Sequence, residues 1–200
     1  MAGFVILCWN CRGLGTDSTV GELRWLVQTY RPSLLFLCET KMAEKRVRNF
    51  MWSLGFSNSY AVRSEGQSGG LRLFWLSSVD VSLKAFNNRC IDVHAKPDQG
   101  PVWRATFVYG EPRRENRCQF WDFIRFMRAQ WDGPWICCGD FNEVLSHDEH
   151  QGLRDRTDRQ INDFQQCLAD CGLIDLGYSG PKYTWSNRQD PHRHVKARLD

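Results

Sequence analysis

The 200-residue chain has no long hydrophobic run. Its longest uninterrupted apolar stretches, residues 4–9 and 34–38, fall far short of the roughly 18 to 20 residues that a membrane span needs. No span is therefore predicted. A large charge of either sign is also missing, because the formal net charge is only +3, too small by itself to mark a nucleic-acid binder. No basic leader precedes the first apolar run and no small-residue cleavage site follows it, so a secretory signal is not expected and an intracellular location is. Internal repeats, low-complexity stretches and linkers are absent as well; residues 66–70 form only a turn-sized glycine-rich loop. One domain over residues 1–200 is the expectation. What the chain does contain is 42% hydrophobic and 13% aromatic residues, enough to fill a sizeable core and to exclude disorder.

The nine cysteines lie largely inside apolar strand-like or helical patterns (Cys8, Cys38, Cys137, Cys138, Cys167), which predicts buried free thiols. Cys8-Trp9-Asn10-Cys11 has the spacing of a zinc or redox pair, but no second Cys or His pair follows at finger spacing. The basic residues are clustered: Arg113, Arg114 and Arg117; Arg154, Arg156 and Arg159; Arg188, Arg193, Lys196 and Arg198, the last group interleaved with His192 and His194. Each cluster can follow a phosphate backbone or lie as a solvated face.

Short apolar runs, many of them alternating, predict strands at 4–9, 33–38, 71–76, 79–83, 90–94, 102–109 and 134–138. Four helices fall between them. The first opens with the capping-box pattern Thr19-x-x-Glu22, places Val20, Leu23, Leu26, Val27 and Tyr30 on one face and stops at Pro32. The second covers about 43–54 with Val47, Phe50, Met51 and Leu54 facing inward and Gly55 as its cap. The third, about 115–131, presents Phe120, Trp121, Ile124, Met127 and Trp131 to a core. The fourth begins at Thr157-x-x-Gln160, carries Ile161, Phe164 and Leu168, and ends before Gly172. The unbroken group of strands between residues 59 and 109 argues against a doubly wound repeat and for two packed sheets with helices outside.

Four of these strands terminate in a polar residue suited to chemistry. The first ends in Asn10, the second in Glu39, a long strand in Tyr109, and the strand after it in Gly139-Asp140-Phe141-Asn142-Glu143. Alternation turns Asp140 and Asn142 to one side and Phe141 to the other, so a carboxylate and a carboxamide can converge on one reacting atom. Each residue alone is also a common turn former that bonds its own backbone. Four coincidences together favour a site that activates water on a phosphodiester.

The ordered motifs Trp9-Asn10-Cys11-Arg12-Gly13, Cys38-Glu39-Thr40-Lys41, Gly69-Gly70-Leu71, Tyr109-Gly110, Gly139-Asp140-Phe141-Asn142-Glu143 and Tyr183-Thr184-Trp185 resemble the endonuclease/exonuclease/phosphatase superfamily. Cys171 to Gly177 and Ser179 to Trp185 narrow the resemblance to the apurinic-type endonuclease domain that opens the polyprotein of plant LINE-type, non-LTR retrotransposons. The resemblance implies an α/β fold, a four-layer sandwich of two mixed β-sheets flanked by helices. It implies that Glu39, with Asn10 beside it, ligates Mg²⁺ (Mn²⁺ as a substitute), an ion suited to oxygen ligands. Asp140 would orient or deprotonate the attacking water, Asn142 would bond the phosphate and hold Asp140, and Tyr109 would donate to a nonbridging oxygen. Thr184 would contact the DNA strand. The implied reaction nicks duplex DNA and leaves a 3′-hydroxyl that primes reverse transcription. The implied setting is a monomer in the nucleus, with a reverse transcriptase domain following in full-length relatives.

Ala197-Arg198-Leu199-Asp200 matches the segment whose aspartate orients a catalytic histidine. In the family one or two further strands end in Ser-Asp-His, a tripeptide this sequence does not contain. The expectation is a domain lacking its final strands, with Asp200 an orienter without its partner. His147-Asp148-Glu149-His150 looks like a ligand cluster but falls in a variable polar loop of the relatives; His94, His192 and His194 do not occupy the missing position. Two other readings stay open: a noncatalytic remnant that binds nucleic acid through its arginines, and a superfamily phosphatase or deadenylase acting on another phosphoester.

Overall fold

In the computed structural model, β2 (Leu34–Cys38) is buried along its whole length, because alternate residues of Leu-Leu-Phe-Leu-Cys enter two different cores. Leu34, Phe36 and Cys38 join one cluster and Leu35 and Leu37 the other. That is the period-2 geometry of a strand covered on both faces. The structure describes residues 4–41, 44–62, 70–98, 100–152 and 156–200, and the side chains of all of these but 44–46 and 191. Ala43, Arg154 and all of the 66–70 glycine-rich turn except Gly70 lie outside them. The chain divides into two compact units, Met1–Tyr109 with Gly133–Gly139, and Gly110–Asp132 with Asp140–Asp200.

The first unit holds two four-stranded sheets. One is ordered β1-β2-β4-β3, from β1 (Ile6–Asn10), β2, β3 (Asn58–Val62) and β4 (Leu71–Trp75); β1 runs parallel to β2, and the other pairings are antiparallel. The second is ordered β5-β6-β7-β8, from β5 (Val79–Asn87), β6 (Cys90–Pro97), β7 (Trp103–Tyr109) and β8 (Trp135–Asp140). β5, β6 and β7 are antiparallel. Arg104 N–H donates to Pro134 O near the start of β7, and Gly139 lies against Val108 near its end, so β8 joins in parallel. Gly139 makes that approach possible: at φ +131° a Cβ there would sit 2.2 Å from the Val108 carbonyl oxygen. The two sheets share a core of Leu34, Phe36, Leu71, Leu73, Ile91, Val93, Ala105 and Phe107.

Two helices cover the other face of the first sheet. α1 (Asp17–Tyr30) and α2 (Glu44–Trp52) deliver Leu23, Val27, Val47 and Met51 to a second core with Leu35, Leu37 and Phe74. The first helix begins earlier than its sequence suggests. Thr16 has the extended backbone an N-cap requires and its hydroxyl accepts the Thr19 N–H at 3.2 Å, so Thr19 lies in the first turn and no Thr19–Glu22 box forms. The helix ends at Arg31 in the left-handed region, one residue before Pro32. Tyr30, expected in the core, is half exposed and meets Trp25 edge-on.

In the second unit a 3-10 turn (Arg114–Asn116) leads into α3 (Arg117–Ala129), which buries Phe120, Trp121, Ile124 and Met127. α4 (Asp158–Cys171) packs against it, with Trp121 and Phe164 stacked at 4.6 Å. The capping box at its start forms as the sequence predicts: Thr157 Oγ1 accepts the Gln160 N–H, and Gln160 Oε1 accepts the Thr157 N–H. Gly172 caps the other end in the left-handed region. A small antiparallel sheet of β9 (His150–Gln151), β10 (Trp185–Ser186) and β11 (Lys196–Ala197) completes the unit. Among the described residues no helix is long and apolar enough to cross a membrane.

Candidate active site

The strand ends of the first unit bring Asn10, Glu39 and Tyr109 together. Asn10 Nδ2 donates to Glu39 Oε1 at 2.8 Å, and the Tyr109 hydroxyl donates to the same oxygen at 2.9 Å. The opposite oxygen, Oε2, lies 3.6 Å from Lys41 Nζ. Parallel pairing of β1 with β2 sets Asn10 opposite Cys38, so the residue after Cys38 comes within reach of the amide. Glu39 itself is left-handed, with φ 53°. A non-glycine residue in that region costs of order 1–3 kcal/mol and persists only when its surroundings enforce it. Here three side chains from separate segments converge on one carboxylate.

These groups fit a divalent cation of the magnesium type. A single carboxylate at a strand end, with the ion keeping most of its water and taking a phosphate oxygen, is a usual environment for it. Asn10 lies beside Glu39, as the sequence suggests. Its Oδ1 accepts the Arg12 N–H at 3.2 Å while its Nδ2 faces Glu39. Turning the amide over would set oxygen against oxygen, so in this geometry Nδ2 is the atom that faces Glu39. Among the described residues no group of three or more His, Cys, Asp and Glu side chains could hold a metal ion.

The second unit brings Asp140, Asn142, Thr184 and Asp200 into one bonded segment. Asp140 is buried, and its Oδ1 accepts the Asn142 N–H at 2.9 Å, the side chain to backbone bond of an Asx turn. The alternation expected across Asp140-Phe141-Asn142 gives way to this turn, because Asn142 is left-handed at φ 57°. Its Nδ2 donates to Gly110 O at 2.9 Å, while Phe141 turns away onto Phe164. Gly110 must be glycine, since a Cβ there would fall 2.1 Å from the Phe141 carbonyl oxygen. Phe141 N–H donates to Leu199 O at 2.7 Å, and Leu199 N–H donates to Thr184 Oγ1 at 3.1 Å. Asp200 is exposed as a residue, but the protein packed around its carboxyl raises its pKa, with Thr184 opposing the rise.

Several residues predicted to face solvent or ligand are occupied elsewhere. Arg117, Arg156 and Arg198, read as parts of basic clusters, lie in buried or nearly buried ion pairs: Arg117 and Arg156 with Glu143, and Arg198 with Glu149 and Asp175. Arg113, Arg114, Arg159, Arg188 and Arg193 are exposed. His147 pairs with Asp158 at 2.7 Å and Glu149 is committed to Arg198, so His147 to His150 is not a ligand cluster. Cys8 packs into the core between the sheets and Cys11 into the core under the helices. Their sulfurs therefore belong to different cores, and Cys8-x-x-Cys11 is not a metal pair. Sequence reasoning gave no role to Glu143 or Lys41, nor to the buried Asp92–Arg104–Thr106 group. Glu143 stood in the quoted motif, and Asp92 broke an otherwise apolar strand.

Two mixed sheets with helices, carrying polar residues at their strand ends, define a mixed α/β sandwich. The chain belongs to the Endonuclease/Exonuclease/phosphatase family, whose model matches residues 7–195. Among the solved structures that share the fold are the following three. The endonuclease domain of TRAS1, a telomere-specific non-LTR retrotransposon, superposes with a TM-score of 0.71 at 14% identity, covering 98% of this chain and 83% of that one. An AP endonuclease from Archaeoglobus fulgidus gives 0.68 at 14% identity, covering 98% and 86%. The AP endonuclease LMAP from Leishmania major gives 0.72 at 15% identity, covering 97% and 79%. Comparison with the curated proteins yields no significant match.

Proposed function

We propose that this chain is a Mg²⁺-dependent endonuclease domain that nicks duplex DNA, of the kind carried by non-LTR retrotransposons, with Mn²⁺ able to replace Mg²⁺. The observation that carries the reading is Glu39: a left-handed carboxylate at a strand end, held by Asn10 and Tyr109. Such strain accumulates where a side chain is aimed at a task. The match to the family over residues 7–195 supplies the phosphoesterase chemistry, and the retrotransposon endonuclease among the solved structures suggests DNA as substrate.

Glu39 would hold the cation, which supplies charge stabilisation to a phosphate oxygen when bound. Asp140 accepts a proton from the attacking water, since a buried carboxylate fixed by a backbone N–H is positioned for general-base work. Asn142 offers the second N–H of its carboxamide to the phosphate, and Tyr109 redirects its one hydroxyl proton from Glu39 to a nonbridging oxygen as negative charge develops. Thr184 contacts the DNA strand, and Asp200 takes the place of the aspartate that orients a catalytic histidine in the family, without that histidine among these residues. The domain covers residues 1–200, acts as a monomer in the nucleus and precedes a reverse transcriptase in its full-length relatives.

The test is the chemistry of the cut end. Supercoiled plasmid incubated with the protein and Mg²⁺ should become open circular with 3′-ends that a DNA polymerase extends directly, and EDTA should prevent it. Nicks that need a phosphatase before extension would contradict the reading. A second reading, a noncatalytic nucleic-acid binder, is favoured by one observation: Lys41 already stands 3.6 Å from the carboxylate a cation would use. It predicts DNA binding that weakens steeply with salt and no cleavage in Mg²⁺.

A further inference from the structure

Asn142 holds an unfavourable backbone conformation beside a buried carboxylate that the proposed chemistry does not use. Its φ of 57° is maintained by three tethers. Its N–H donates to Asp140 Oδ1, its Nδ2 donates to Gly110 O, and its carbonyl accepts from Arg156 Nη2 at 3.3 Å. The second and third tethers come from outside the turn. Arg156 is held in turn by the charge of Glu143, the residue after Asn142: Nε lies 2.7 Å from Oε1, although its N–H is not aimed at that oxygen. Glu143 is 2% exposed. Its second oxygen binds Arg117, and Arg117 also donates to the carbonyls of Glu111 and Pro112. Those carbonyls follow directly on Gly110, the residue that accepts the Asn142 amide. One buried carboxylate thus anchors both sides of the turn: the Asn142 carbonyl through Arg156, and the Gly110 loop through Arg117.

A buried carboxylate between two guanidiniums is a costly device if stability alone is at stake, because well-packed apolar side chains of similar size do as well or better. Its distinct property is directional. A guanidinium carries its N–H groups in one rigid plane, so when the Glu143 charge holds Nε close, Nη2 in the same plane stays beside the Asn142 carbonyl. We infer that Arg156, oriented by Glu143, is a positioning residue that sets the Asn142 carboxamide and, through the Asn142 N–H, the Asp140 carboxylate. The inference rests on the proposed nuclease reading for its purpose and on the geometry of the turn for its substance.

Arg156→Lys separates these parts. A lysine keeps the charge opposite Glu143 but cannot reach the Asn142 carbonyl with a second N–H in the same plane. Removing one hydrogen bond of this kind corresponds to about a tenfold change in a local opening equilibrium. Hydrogen exchange of the Asn142 amide in Arg156→Lys should therefore run about tenfold faster than in the wild type. The amide of buried Phe164, in the middle of α4, should change less than twofold. In plasmid nicking the variant should lose about tenfold in kcat with KM for DNA unchanged, and in an Asn142→Ala background it should lose less than tenfold, because only the part relayed through the Asn142 N–H to Asp140 remains. Unchanged exchange at Asn142, or equal acceleration at Asn142 and Phe164, would overturn the positioning role and leave Arg156 a structural cation. Asp140→Ala serves as the separate control: if it nicks as fast as the wild type, the nuclease reading fails, whatever Arg156 does to exchange.

Discussion

Replacing Asp92 with alanine should be among the most damaging single changes in the first unit. The carboxylate is fully buried and accepts from Arg104 Nε at 2.8 Å, from Arg104 Nη2 at 2.9 Å and from the Thr106 hydroxyl at 2.6 Å. Thr106 Oγ1 in turn accepts from Trp135 Nε1, so the group links β6, β7 and β8. Without Asp92 the Arg104 guanidinium, whose side chain is 5% exposed, stays buried without its counter-charge. Breaking a pair in this way costs about 3–5 kcal/mol, whereas replacing both partners by apolar side chains is often neutral. In urea, with a slope of about 2–3 kcal/mol per molar for a chain of this size, Asp92→Ala should lower the midpoint by about 1–2.5 M. The double variant Asp92→Leu/Arg104→Met should recover most of that loss. A shift under about 0.3 M for Asp92→Ala, or a double variant as unstable as the sum of the two single ones, would refute the argument that desolvated charge governs this site.

Three further outcomes follow. The Arg198 guanidinium, bonded bidentately to Asp175, holds the Asp175 pKa below the usual carboxylate range. Its stabilisation is present above the unfolded carboxylate pKa of about 4 and is lost as pH falls through the depressed value; denaturation series from pH 6 downward should show the wild type losing more stability than Asp175→Asn. Burial pushes the thiols of Cys11 up to about 11 and of Cys90 and Cys167 up to about 12. A disulfide reagent at pH 8 should modify the exposed Cys118 first and leave those three unreacted until the chain unfolds. Lys41→Met should lower the Mg²⁺ concentration needed for half-maximal nicking, because the lysine competes for Glu39; an unchanged or higher requirement would show that the pair is too solvated to matter.

The legible parts of the molecule were those whose signal is local. The Thr157-x-x-Gln160 box and Gly172 mark both ends of α4 because capping uses residues within one turn. Phe120, Trp121, Ile124 and Met127 reveal the buried side of α3 by spacing alone. The strand-end residues Asn10, Glu39, Tyr109 and Asp140 were recognisable because each follows an apolar run that stops abruptly. The first helix misled because two threonines three residues apart both suit an N-cap, and only backbone conformation chooses Thr16. Ion pairing was illegible for a different reason. Glu143 lies 26 residues from Arg117, and Arg198 lies 49 from Glu149. No periodicity connects such partners, so Arg117, Arg156 and Arg198 looked like surface charge. β3 escaped because Asn-Ser-Tyr-Ala-Val is polar over its exposed first half, and the two-residue strands carry no pattern to read.

The central claim is that the Asp140 carboxylate activates the nucleophile in Mg²⁺-dependent DNA cleavage. It is tested most directly by the single-turnover rate of plasmid nicking at saturating Mg²⁺ for the wild type and for Asp140→Asn, a change that keeps the side chain's size and removes the base. The account predicts a loss of about 10² to 10⁴ in rate, with both proteins melting within a few degrees of each other. Equal rates for the two proteins would contradict it.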